Sequence, residues 1–250
     1  MKIKHRRLIA TIAAFVAVGV WLIVNPESYE KFFVKVENSG DDYALASGDY
    51  DAEAVSAADN NAPLAKDILE KLAVKGRAPK TGYSREKFYN GWPTVDGCNL
   101  RQRIIKREFG DTAVLDGCNV MAGEFDEPYT GVHMVFKTHD EISKGIQIDH
   151  VVALSDAWQK GAQYFDADIR YNIATDPLNL LAVEADANEK KSDGDAATWL
   201  PSNKKFRCQY VARQVSVKYK YGMWVTEAEK TAISNVLSNC PLEPAVGVNL

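Results

Sequence analysis

Cysteine is sparse: Cys98, Cys118, Cys208 and Cys240 are the four in 250 residues, and no two stand as a C-x-x-C pair. That spacing argues against a zinc finger and favours disulfides if the chain is exported. Three pairings are open; Cys98 with Cys118 and Cys208 with Cys240 are favoured because each closes a short loop within one local segment. No Gly-rich phosphate loop, nucleophile elbow or dinucleotide fingerprint occurs, which takes away the sequence grounds for a P-loop NTPase, an α/β-hydrolase or a Rossmann dehydrogenase. Internal repeats are absent too, so the chain is no solenoid.

What remains is ordinary in bulk and uneven in detail. Apolar residues make up 46% of the chain, enough to bury a substantial core, and the formal net charge is -4. That mild total hides three segments: residues 27–62 hold nine Asp/Glu against two Lys, residues 63–107 hold eleven Lys/Arg against four acids, and residues 187–222 hold eight against three. Each alone reads as a solvated face.

The chain starts "MKIKHRRLIATIAAFVAVGVWLIVNPES", a basic cluster followed by an uncharged run of seventeen residues from Leu8 to Val24. At a helical rise of ~1.5 Å this run spans roughly 25 Å, so residues 1–25 read as an export signal or membrane anchor. No small-x-small cleavage site follows directly. A retained segment would tether the bulk of the protein to the outer face of the cytoplasmic membrane. Residues 26–62 read as an acidic flexible linker. A folded domain is expected over 63–240, with a tail at 241–250.

Within that domain, "APLAKDILEKLAVKG" is expected to be a helix capped by Gly76, and "GCNLRQRIIKREFG" another with Leu100, Ile104 and Ile105 on one side. "GVHMVFKT", "IQIDHVVAL" and "NLLAV" read as strands, the last two as partners separated by a long excursion, and "ANEKKSDGDAATWL" as a helix. Thr226 and Glu229 form a capping-box signature. The fold class is therefore α+β.

An Asp-His pair, Asp149-His150, interrupts the apolar run "IQIDHVVALSDAW". By itself such a pair is either a buried histidine bonded to its neighbours or a reaction centre. The sequence that follows, "DPLNLLAVEADANEKKSD", decides the reading. Asp-His on a first strand, Asn179 at the start of a second and Asn188-x-x-Lys191-Ser-Asp at a helix resemble the HNH branch of the His-Me finger nucleases, including the HNH domain of the RNA-guided CRISPR nuclease. More widely, "SREKFYNGW", "CNLR", "DEPYTG", "DPLNLLAV", "WLPSNKKFRCQYV" and "VKYKYG" resemble a family of exported HNH proteins related to the C-terminal domain of the GmrSD restriction endonucleases, over residues 83–240.

The resemblance implies a His-Me finger, a two-stranded hairpin plus helix centred on a metal, embedded in a mainly helical domain. It implies an extracytoplasmic HNH endonuclease acting on DNA, with RNA as an alternative, and with little sequence preference. His150 would be the general base and Asp149 and Asn188 the ligands of one divalent cation. Mg²⁺ suits these oxygen donors, Mn²⁺ is the alternative, and Asn188 in place of the final His of the motif disfavours Zn²⁺. Neighbouring strand residues face opposite ways, so Asp149 and His150 are expected to work from two sides. Asn179 would hold the strand-end loop or the imidazole tautomer. Lys191, Arg101, Arg207 and Arg213 are the candidate phosphate contacts. No protein partner is expected; the membrane is one only through an uncleaved N-terminus. A nucleic-acid-binding protein with a silent HNH fold is the alternative.

Other candidates are weaker. His133 and His139 have no partner spacing, Asp126 and Glu127 fit a turn around Pro128, and Tyr210, Tyr219, Tyr221 and Trp224 suit packing better than base stacking.

Overall fold

The structure is a computed structural model that describes residues 62–247. The expected export segment (1–25) and nearly all of the expected linker (26–62) lie outside the described residues. Among those residues, no helix is long and apolar enough to cross a membrane.

Among the described residues, eight α-helices and seven strands follow one another: α1 (Ala65–Lys71), β1 (Thr94–Val95), β2 (Cys98–Asn99), α2 (Leu100–Phe109), β3 (Val114–Asp116), β4 (Asn119–Asp126), β5 (His133–Phe136), α3 (His139–Gly145), β6 (Ile146–His150), α4 (Leu154–Gln159), α5 (Ala167–Thr175), β7 (Leu180–Glu184), α6 (Ala185–Lys191), α7 (Arg207–Lys220) and α8 (Glu227–Leu237). Helices and small antiparallel sheets are mixed, as an α+β fold requires.

The hairpin β6–β7 is the central wall. Its strands pair antiparallel from Ile146↔Glu184 to His150↔Leu180. On one face Ile146, Ile148, Leu180 and Ala182 pack with Leu100, Ile104, Ile105 and Phe109 of α2 and with the β3–β4–β5 sheet. On the other, Leu181 and Val183 join α1, α7 and α8. Burial on both faces explains why β7 reads as a continuous apolar run rather than an alternation. Gly123 lets β4 sit against α2, since a Cβ there would lie 2.5 Å from the Phe109 ring.

Several expectations hold. Cys98 pairs with Cys118 and Cys208 with Cys240. Thr226 and Glu229 close a capping box on α8. Others do not. The first helix stops at Lys71, not Gly76, because Val74 bridges to Val225 in parallel and Lys75 N–H donates to the Val225 carbonyl. Helix α6 begins at Ala185 and ends at Lys191, where Ser192 turns left-handed at φ 52°. Part of the expected C-terminal tail belongs to the fold: Ala65 N–H donates to Glu243 O, Ala245 N–H donates to Pro63 O, and Ala245 is buried.

A buried ionic cluster joins the helices around the hairpin. Lys160 Nζ contacts Asp156, Asp195 and Glu229 at 2.6–2.7 Å, and Lys218 contacts Asp156 and Glu229. Arg77, a third exposed, adds contacts to Asp156 and Asp195. Three acids meet three bases, so no buried charge is left uncompensated.

Candidate active site

Strand alternation sends Asp149 and His150 to opposite faces of β6, and each meets a different environment. His150 lies on the α2 face and is 4% exposed. Its Nε2 is 2.9 Å from Ala174 O at the end of α5. A carbonyl only accepts, so Nε2 carries the proton and Nδ1 carries the lone pair. Trp92 stacks on the imidazole at 5.9 Å and 10°, and Tyr89 lies tilted against it at 5.8 Å. Burial, opposed only by the bond to Ala174, pulls the His150 pKa down to about 3, so the ring is neutral at neutral pH.

Asn179 fixes this geometry. It is fully buried just before β7. Its Oδ1 accepts from Val152 N–H at 2.8 Å, its Nδ2 donates to Val152 O and Ile173 O, and its backbone carbonyl accepts from Val151 N–H at 2.8 Å. One side chain thus holds the loop that follows His150 and the residue beside Ala174, the acceptor of the imidazole proton.

Asp149 points the other way. Lys191 Nζ donates to Asp149 Oδ1 and to His150 O, both at 2.9 Å, and the Tyr129 hydroxyl donates to Asp149 Oδ2. Burial raises the Asp149 pKa against the pull of Lys191 and raises that of Tyr129 as well. Asn188, the other expected ligand, donates from Nδ2 to Gln147 Oε1 at 2.7 Å.

HNH nucleases generally use a divalent metal ion, and the residues here can be tested against one. A carboxylate and an amide are the right donor types for a hard cation. Yet both oxygens of Asp149 are taken, and an ammonium already occupies the cation's side of Oδ1. In this arrangement the residues do not fit a bound metal. The close grouping of Cys208, Cys240 and Glu243 is no substitute, because both cysteines are in the disulfide.

The expected phosphate contacts are also differently employed. Lys191 is buried in its ion pair rather than presented to solvent. Arg101 donates to Ile146 O at 3.0 Å, Arg207 to Pro201 O at 2.7 Å and the buried Arg213 to Leu178 O at 3.5 Å. These guanidiniums satisfy backbone carbonyls and brace the hairpin and its neighbours. Glu127 accepts from Tyr129 N–H and from the Thr130 backbone and hydroxyl, the turn reading of that stretch. His133 bonds Asp126 and Glu124 on the strand opposite, and His139 bonds Val120 O. Tyr210 packs against Tyr129 and Trp199.

Sequence reasoning missed Tyr129, Tyr89 and Trp92. They stand 20 to 61 positions from the Asp149 or His150 they touch, beyond any helical or strand period. Their only signal was membership of the quoted stretches "DEPYTG" and "SREKFYNGW".

Residues 101–236 match the GmrSD restriction endonucleases, C-terminal domain. An uncharacterized secreted protein of Arthroderma benhamiae is 33% identical over 183 residues, covering 72% of this chain and 86% of that protein. No solved structure matches. A match over more than half of the chain, centred on the Asp149–His150 hairpin, makes this protein a member of the family of GmrSD restriction endonuclease C-terminal domains.

Proposed function

We propose that this protein is an extracytoplasmic HNH endonuclease that hydrolyses phosphodiester bonds of DNA, with RNA as an alternative substrate, through a His-Me finger formed by β6, β7 and α6. The observation that carries the reading is the tautomer of His150: its Nε2 proton is spent on Ala174 O, so Nδ1 is free to take a proton from water. As that water attacks phosphorus, its proton passes to Nδ1, the new P–O bond forms, and the bond to the 3′-oxygen breaks with its electron pair. Asn179 keeps the imidazole and its acceptor in register. The family implies an Mg²⁺ or Mn²⁺ requirement, which Asp149 as closed by Lys191 and Tyr129 does not meet, so the steps given belong to the protein's own groups. Export is supported by the basic-then-apolar N-terminus and by the name of the fungal relative.

The slight exposure of His150 and the closed state of Asp149 also favour the second reading, a nucleic-acid-binding protein with a silent HNH fold. Plasmid cleavage separates the two. The purified protein, with Mg²⁺, Mn²⁺ or chelator, is compared with His150→Gln, whose amide can still donate to Ala174 O. Cleavage lost in the variant supports the nuclease; equal cleavage by both removes His150 from the chemistry. DNA binding without cleavage by either protein supports the silent module.

A further inference from the structure

Residues 77–92 precede the family match and run along the side of the finger that bears His150. The segment carries four basic residues against one acidic. Arg77 pairs with Asp156 and Asp195, Lys80 pairs with Asp193 at 2.9 Å, and Lys87 lies over the Trp158 ring at 4.9 Å. Arg85 instead contacts the ring that touches His150. It is exposed, and among the described residues it forms no ion pair. Its NH1 donates to the Tyr89 hydroxyl at 3.0 Å, and its guanidinium lies 5.9 Å from the Tyr89 ring centroid.

That same Tyr89 ring is the one tilted against His150. Buried Phe88 and Tyr89 anchor the short 3₁₀ turn Arg85–Lys87, and Arg170 Nε donates to Lys87 O at 2.9 Å, so the turn is fixed to α5 as well. Arg85 is near enough for its charge to disfavour protonation of His150. A planar, permanently charged fork, held by a buried tyrosine beside a neutral imidazole, is suited to a phosphodiester.

We propose that Arg85 is the phosphate-binding residue of this site, gripping the non-bridging oxygens of the nucleic-acid backbone beside His150, with Tyr89 as its positioning residue. The inference rests on the nuclease reading and deepens it. The negative charge that grows on those oxygens as water attacks meets a fixed cation.

The test reads binding and cleavage separately. Full-length His150→Gln is titrated, by fluorescence anisotropy over a NaCl series, with a labelled duplex and with its single strand. Adding Arg85→Ala is expected to lower the slope of log K against log salt by about 0.9 for duplex or about 0.7 for single strand, one phosphate contact. Arg85→Lys should restore the slope. With His150 intact, Arg85→Ala should lose about a hundredfold in cleavage rate, and Arg85→Lys should recover only part of it, because an ammonium lacks the fork. An unchanged slope in Arg85→Ala overturns the proposal even if His150 proves essential. If His150→Gln cleaves like the wild type, the base assignment fails, and the slope still decides Arg85.

Discussion

Acidification should weaken this protein through His150, and the size of the effect follows from its burial. In the unfolded chain the imidazole titrates near 6.5; in the fold, covered by Trp92 and Tyr89, it titrates at about 3. Between those values the unfolded state binds a proton that the folded state refuses. Stability from this group is therefore full above pH 6.5 and is lost as pH falls toward 3. Linkage gives a loss of about 3 kcal/mol between pH 7.5 and 4.5. Urea unfolding at both pH values, for wild type and His150→Gln, isolates the term, since carboxylates common to both proteins cancel. The wild type should lose about 3 kcal/mol more than the variant over this range. An NMR titration of the imidazole provides the direct reading. Parallel losses in the two proteins, or a His150 pKa near 6.5, would refute the reasoning and put the ring in water.

Three further outcomes are expected. Lys191→Met removes the ammonium from Asp149 and should cost about 3–5 kcal/mol without metal; it should also open Oδ1, so that Mn²⁺ raises the melting temperature of the variant more than that of the wild type, and equal shifts would count against Lys191 as the resident cation. Glu229→Gln leaves Lys160 and Lys218 short of one buried carboxylate and should destabilise by about 3–5 kcal/mol in denaturant unfolding; a loss under 1 kcal/mol, typical of solvated pairs, would mean the cluster is wet. Replacing Cys208 and Cys240 by Ser reopens a 32-residue separation and should cost about 3–4 kcal/mol, read from the same unfolding curves.

The β6–β7 hairpin and α6 were legible because their signals are local. Strand-like runs flank the Asp-His pair, and Asn188 and Lys191 sit one helical turn apart, so hairpin and helix followed from short-range pattern. Both disulfides were legible from loop length. Helix α7 was not: Gln214, Ser216 and Lys218 are buried with its apolar residues, which erases the contrast on which periodicity depends. The β3–β4 ribbon escaped notice because all three residues of β3 are exposed and show no alternation. The engagement of Asp149 was equally hidden, since Tyr129 and Lys191 reach it across 20 and 42 positions. Sequence pattern reports which residues share a face; it does not report which distant side chain arrives there to fill a hydrogen bond.

The two disulfides lie in different layers. Cys98–Cys118 ties the start of α2 to the β3–β4 turn, and Cys208–Cys240 ties α7 to the end of α8. Neither crosses the β6–β7 hairpin, which is the wall both layers share. Each layer can thus open as its own cooperative unit while its staple stays closed, and the hairpin amides lose protection only when both have opened. His150 therefore sits on the wall whose amides exchange last, and the turn bearing Arg85, tied to it through the Tyr89 ring, cannot open without uncovering the imidazole.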